Sequence, residues 1–384
     1  MNKFPIIGCS MLVAVMLIFL YPVRSNAQTY DANLLKGIDL VYHVKFDSAD
    51  AVFDDFIRKN QKDPSGYFFK VLVEWWRINL DRYDESFDEE LFKRVDKAVD
   101  VSDERLDKNE NDNYAMFFKG GAIGYRGLIR SIRESWLKAA EDGKESLNLL
   151  QKAYELNDRN KDAVFGVGIY NYFAEYVPEN YPVLKPLMII FPKGDKLKGL
   201  KQIQETAMNS QYARTEANFI LLYLNQRYEN NYNEGEKYST LLRNEYPENP
   251  VFGRMYAANF VGMNKWNDAL NEWKIIAERC DSNFTGYNQR LKREAHYYIA
   301  LCLSKLGRLK EGEVNLAIAN DLNHKLDKND DTAFGVYTNM MLGMLKDENG
   351  DHSSAIEYYN KVIAMKEFGN SKVDAERFKK SGYK

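Results

Sequence analysis

From residue 30 onward the chain carries one pattern of apolar and polar positions. Apolar residues fall at steps of three and four, as in Ala217–Leu224 and Ala295–Leu306, the period of a helix with one buried face. Sustained alternation of β-branched and polar residues is nearly absent, and no Asn-Gly or Asp-Gly pair joins such runs, so strands are not expected. Short polar segments interrupt the helical stretches: Gln61-Lys62-Asp63-Pro64, Asn157-Asp158-Arg159-Asn160, Pro247-Glu248-Asn249-Pro250 and Asp327-Lys328-Asn329-Asp330-Asp331. Each reads as a turn with an Asp, Asn or Thr at hand to cap the next helix.

A pair of small residues twelve apart recurs on this background: Gly37/Ala49, Ala257/Ala269, Ala300/Gly312 and Gly343/Ala355, with a partial version at Tyr223/Gly235. Large apolar residues tend to follow the second member at plus four and plus seven, as in Phe53 and Phe56, Trp273 and Ile276, Tyr359 and Val362. Two antiparallel helices cross closely only where both present a small side chain, so the spacing describes a repeated helical hairpin.

An aromatic stands three residues before the second small residue (Phe46, Tyr232, Trp266), and Pro247 closes a unit. Gly235 to Ala269 is 34 residues, while Ala269 to Gly312 and Gly312 to Ala355 are 43 each. Together these features resemble the tetratricopeptide repeat (TPR). The resemblance implies an all-α fold, a right-handed α-solenoid of about seven or eight TPR-like hairpins. It covers residues 30 to about 368, with the clearest repeats in 213–368. Position 4 of the unit departs from the aromatic the repeat prefers, being Asn33, His296 and Asn339. Earlier units are more degenerate. Gly121 or Gly124 marks the first helix of one whose second helix is Ser146–Leu156, and Gly168 and Gly199 belong to another.

Four of the nine prolines lie at 178, 182, 186 and 192, a density that excludes one continuous helix and predicts an irregular insertion over 176–194. The segment Gly168–Thr206 is similar to the central part of a eukaryotic TPR subfamily that includes a mitochondrial outer-membrane protein, and the family implies no enzyme activity. Leu187–Phe191 within the insertion is expected either to cover the solenoid core or to form an exposed contact.

The first 27 residues stand apart. Lys3 precedes an uncharged run from Phe4 to Val23, and Ser25 and Ala27 occupy positions a signal peptidase accepts, which predicts cleavage between Ala27 and Gln28. The alternative is an uncleaved N-terminal anchor; Pro5 and Pro22 bracketing the run, and the small-x-small site after it, favour cleavage. Cys9 precedes the apolar core rather than following it, so it is not read as a lipoprotein site. An exported protein of a bacterial envelope or periplasm follows, with residues 28–384 as the solenoid.

The formal charge is −3, or −5 once Lys3 and Arg24 leave with the leader, and acids and bases are interspersed. No basic stripe exists to neutralise phosphates, so nucleic acid is not expected as a partner. Only Cys280 and Cys302 remain beyond residue 27; the register places them on different helices, which predicts free buried thiols. The four histidines are scattered over different units, and no metal, nucleophile-elbow, Walker or dinucleotide motif is present, so neither enzyme activity nor a cofactor or metal is expected.

What remains is a surface. First helices of the repeat line the concave side, and the register brings Arg227, Arg254, Tyr297 and Met340 there. Arginine beside aromatics and methionine suits a carboxylate and the apolar side chains of a peptide. The tyrosine-rich patch around Tyr172 and Tyr176 abuts the insertion, at helical-core spacing. The expected function is therefore a non-catalytic scaffold binding a protein or peptide on its concave surface. The alternative is an exported binder of a sugar or other small nutrient, using aromatics near residues 170–195.

Overall fold

The computed structural model describes residues 31–157, 160–182, 185, 192–328 and 330–383. The leader with its Ala27–Gln28 junction, and Leu187–Phe191, lie outside the described residues. Ala32–Lys384 packs as one compact unit.

The polar breaks in the sequence start helices as their chemistry requires. Asp63 accepts a hydrogen bond from the Ser65 amide with Pro64 in the first turn, Asn160 accepts from Asp162 and Ala163, Asn249 from Val251 and Phe252, and Thr332 from Gly335. Among the described residues these and similar caps delimit seventeen helices and no strand. They pair along the chain into eight hairpins: α1 (Ala32–Tyr42) with α2 (Phe46–Lys59), α3 (Pro64–Leu80) with α4 (Asp88–Leu106), α5 (Asn113–Ile132) with α6 (Trp136–Leu156), α7 (Lys161–Asn180) with α8 (Lys196–Asn209), α9 (Arg214–Arg227) with α10 (Tyr232–Glu245), α11 (Pro250–Gly262) with α12 (Trp266–Asp281), α13 (Gln289–Lys305) with α14 (Leu309–Asp327), and α15 (Ala333–Glu348) with α16 (His352–Ala364). α17 (Ser371–Ser381) covers the last hairpin, its Ala375 completing the core around Val336, Tyr359 and Val362.

Four of the hairpins close on the small pair and on the large residue four further along. A Cβ at Gly37 would stand 2.3 Å from Phe53 Cε1, and one at Gly343 would stand 2.5 Å from Tyr359 Cε1. The aromatic ring occupies the space that a side chain would take. Ala257 with Trp273 and Ala300 with Leu316 repeat the arrangement, all four fully buried. The degenerate central unit uses glycine on both helices: a Cβ at Gly199 would meet the Gly168 carbonyl oxygen at 2.6 Å. The 43-residue periods come from longer helices, α13 and α14 having 17 and 19 residues against 14 in α9 and in α10, and from the turn between α12 and α13.

The irregular insertion begins later than its prolines imply. α7 runs through Pro178 to Asn180. A proline in the last turn forfeits one backbone hydrogen bond near the end of the ladder, where carbonyls are already losing partners, so the helix continues past it.

Candidate partner-binding surface

A solenoid of this kind offers the side lined by its first helices, and here much of that side is covered by the chain itself. α3 packs against α11. Trp76 of α3 is fully buried, with its ring centroid 5.3 Å from that of Phe219 on α9 and 5.2 Å from that of Phe252 on α11. Tyr42, at the end of α1, lies edge-on to Trp76 at 5.3 Å and touches Tyr246 at 5.4 Å. Phe69 meets Tyr212 edge-on at 5.2 Å. The first two hairpins therefore share one aromatic core with units that follow more than a hundred residues later.

Polar groups fix the same closure. Asn249 uses its carbonyl oxygen to cap α11 while its Nδ2 donates to the Tyr42 carbonyl at 2.9 Å. Asn288 Nδ2 donates to the Leu80 carbonyl at 3.3 Å. Gly286, at φ +79°, lets the turn before α13 lie against Leu80 and Pro250, where a Cβ would stand 2.9 Å from each side chain. At the centre, Glu216 of α9 is 6% exposed and accepts from Trp76 Nε1 at 2.8 Å and Tyr125 Oη at 3.3 Å. Burial pushes its carboxyl up to about 7, against the two hydrogen bonds that favour ionisation.

The four residues assigned to the groove have different surroundings. Arg227 is exposed at the end of α9. Arg254 is partly open, with its Nε 3.4 Å from Glu294. Tyr297 packs on the core of Ala300, Leu316 and Leu345, its ring edge-on to Phe334 at 6.0 Å. Met340 is 8% exposed inside the α15–α16 core with Tyr359 and Val362. The two basic positions remain reachable and the two apolar ones are largely taken up by packing.

The tyrosine patch beside the insertion does converge. Tyr172 is fully buried and stacks on Tyr176 at 5.7 Å, while Tyr228 meets Tyr176 edge-on at 4.8 Å. Tyr172 Oη donates to Glu229, which also pairs with Lys196 Nζ at 2.9 Å, and Lys196 lies 5.7 Å from the centroids of both stacked rings. The carboxylate and the cation satisfy each other, so this cluster joins α7, α8 and the end of α9 as packing.

Among the described residues no group of three metal-ligating side chains is present, and no helix is long and apolar enough to cross a membrane. Cys280 and Cys302 are buried and free, as their register predicted. Sequence reasoning missed Glu216, which opens a helix like any solvated acid and has no local signal of what it meets across the solenoid.

No family model matches the chain, and no curated protein matches it. Among solved structures it is similar to yeast Tom70, at 15% identity and a TM-score of 0.42 over 91% of this chain and 81% of that one. It is similar to human IFIT1, crystallised as a dimer with m7Gppp-AAAA, at 10% identity and 0.44 over 91% and 82%. It is also similar to a Rap protein complexed with competence and sporulation factor, at 13% and 0.31 over 90% and 76%. The fold assignment rests on the eight hairpins and their small–aromatic crossings: the chain is a TPR-like helical-repeat protein, an all-α solenoid.

Proposed function

We propose that this protein is an exported, non-catalytic scaffold of a bacterial cell envelope that holds a protein or peptide partner at the mouth of its concave side. One observation carries the reading: of the first-helix arginines, Arg227 is exposed and Arg254 is partly open beside Glu294, next to a core that the chain has already filled. A rigid platform loses little conformational entropy on binding, which suits a scaffold. Export draws on the leader-like residues 1–27 and cleavage before Gln28, with N-terminal anchoring as the alternative. The small-nutrient alternative would use Tyr172 and Tyr176, but Glu229 there is already engaged by Lys196 and Tyr172.

Affinity capture from envelope extract, using the purified protein as bait, tests the reading. Recovery of a stoichiometric partner that Arg227→Glu abolishes is expected. Absence of any partner, together with thermal stabilisation by a sugar, would replace the scaffold with the nutrient binder. N-terminal sequencing of the protein from the envelope is expected to begin at Gln28.

A further inference from the structure

α3 lies on the concave side as a bound helix would. Phe69, Trp76 and Leu80 stand seven and four residues apart, one stripe of the helix, and each meets a later part of the chain. Phe69 meets Tyr212 just before α9, Trp76 meets Phe219 of α9 and Phe252 of α11, and Leu80 meets the turn of Gly286 and Asn288 before α13. An apolar stripe of this period is how an amphipathic helix docks in a groove. The chain therefore occupies its own concave side.

The polar centre of this contact carries no compensating cation. Glu216 accepts from Trp76 Nε1 and Tyr125 Oη, both neutral donors, and among the described residues no Lys, Arg or His forms an ion pair with it. Charged groups on the surrounding helices are engaged elsewhere. Arg214 on α9 pairs with Glu245, Arg77 on α3 with Asp47, Arg126 on α5 with Asp142, and Arg254 on α11 has its Nε 3.4 Å from Glu294. The acid of α3, Glu74, pairs with Arg94 at 3.0 Å. The remaining titratable groups are phenols. Tyr42 of α1 brings a buried hydroxyl with no hydrogen-bond partner among the described residues, and Tyr246 after α10 bonds Thr215 at 3.2 Å.

Protonated, Glu216 is neutral and sits in the aromatic core at little cost. Ionised, it is a charge enclosed by rings and two neutral donors, and separating α3 from α9 admits the water that solvates it. Burial pushes this carboxyl up to about 7, so the change falls near neutrality. The rim of the same contact responds in the same direction. His43, just after α1, places Nδ1 3.0 Å from Glu248 across 205 residues and Nε2 3.8 Å from Asp39. The imidazolium pairs with both carboxylates, whereas the neutral ring keeps only a hydrogen bond. Histidine loses its charge between about pH 5 and 8. Rising pH thus weakens the closure at its centre and at its edge.

We propose that the Trp76–Glu216 and His43–Glu248 contacts form a proton-operated latch, which holds α3 on the concave side in acid and releases it above neutrality. Release uncovers Phe219 and Phe252 on α9 and α11. The latch regulates access to the partner surface described above and rests on that reading only for what enters the opened face.

The test is hydrogen exchange of the purified protein at pH 5 and pH 8, corrected for the intrinsic pH dependence of exchange. Between the two, peptides from α3, α9 and α11 are expected to lose protection about tenfold, and those from α15 to α17 to keep theirs. Glu216→Gln, neutral at both values, is expected to abolish most of this response. His43→Gln, at the partly open rim, is expected to shrink it about twofold, and it reads the latch should Glu216→Gln not fold. Anilinonaphthalene sulfonate is expected to brighten at pH 8 with the parent and not with Glu216→Gln, reporting the uncovered aromatic face. Equal protection of α3 at both values, a loss shared equally by α15 to α17, or an unchanged response in the folded variants overturns the latch. No partner enters these measurements, so they stand or fall separately from the affinity capture.

Discussion

Trp76 Nε1 donates a 2.8 Å hydrogen bond to Glu216 Oε1, joining α3 to α9 across 140 residues of chain. The indole is fully buried and the carboxylate nearly so, and the Tyr125 hydroxyl reaches the same oxygen from α5. A solenoid whose units touched only their neighbours would have no such bond. Here it sits in the aromatic core that closes the N-terminal hairpins onto the middle of the chain.

The Glu216 carboxyl is raised from an ordinary 4.5 to about 7 by burial. The folded protein therefore holds a proton that the unfolded chain releases between those values. Stability is present in full below about 4.5, falls as pH rises through 7, and then levels, by a total on the order of 3 kcal/mol. Thermal midpoints between pH 5 and pH 8 are expected to decline in the parent and stay flatter in Glu216→Gln, which keeps an acceptor for Trp76 and Tyr125. Parallel profiles in the two proteins would refute the assignment.

Truncating Trp76 should open the closure selectively. Trp76→Ala removes a fully buried indole and is expected to cost about 3–5 kcal/mol. Hydrogen exchange should accelerate most in α1, α3, α9 and α11, which share the core, and least in α15 to α17. A uniform acceleration along the chain would mean that the closure is no separate unit of stability.

Gly37 and Phe53 are expected to be coupled. Gly37→Ala places a Cβ 2.3 Å from the Phe53 ring and should destabilise by about 1–3 kcal/mol in urea titration. Phe53→Leu vacates part of that space, so the double variant should lose less than the sum of the single ones. Additive losses would show that the ring and the glycine are not the crossing contact.

Cys280 and Cys302 should be chemically silent in the native state. Both are buried, and burial pushes each thiol up to about 12, leaving almost no thiolate at neutral pH. A thiol-specific chromogenic reagent is expected to react about a hundredfold more slowly in buffer than in urea. Rapid native labelling of either residue would contradict the buried free-thiol description.

What was legible in the chain before folding was whatever depends on neighbours in sequence. Helix starts are set by residues such as Asp63, Asn160, Asn249 and Thr332, whose side chains bond amides two or three positions away. Hairpin crossings are set by Gly37 against Phe53 or Gly343 against Tyr359, sixteen residues apart, and so recur at readable spacing.

The pairing of Trp76 with Glu216 and of Asn249 with Tyr42 could not be read this way. These contacts span between 140 and 207 residues, or join a turn to a distant helix, and arise from accumulated rotation of one hairpin on the next. No local period encodes that sum. The sequence by itself determined a helical-hairpin solenoid with small–aromatic crossings. That the solenoid closes on itself, Trp76 onto Glu216 and Asn249 onto Tyr42, is a tertiary outcome, because successive repeats convert small, unreadable angles between units into one specific long-range contact.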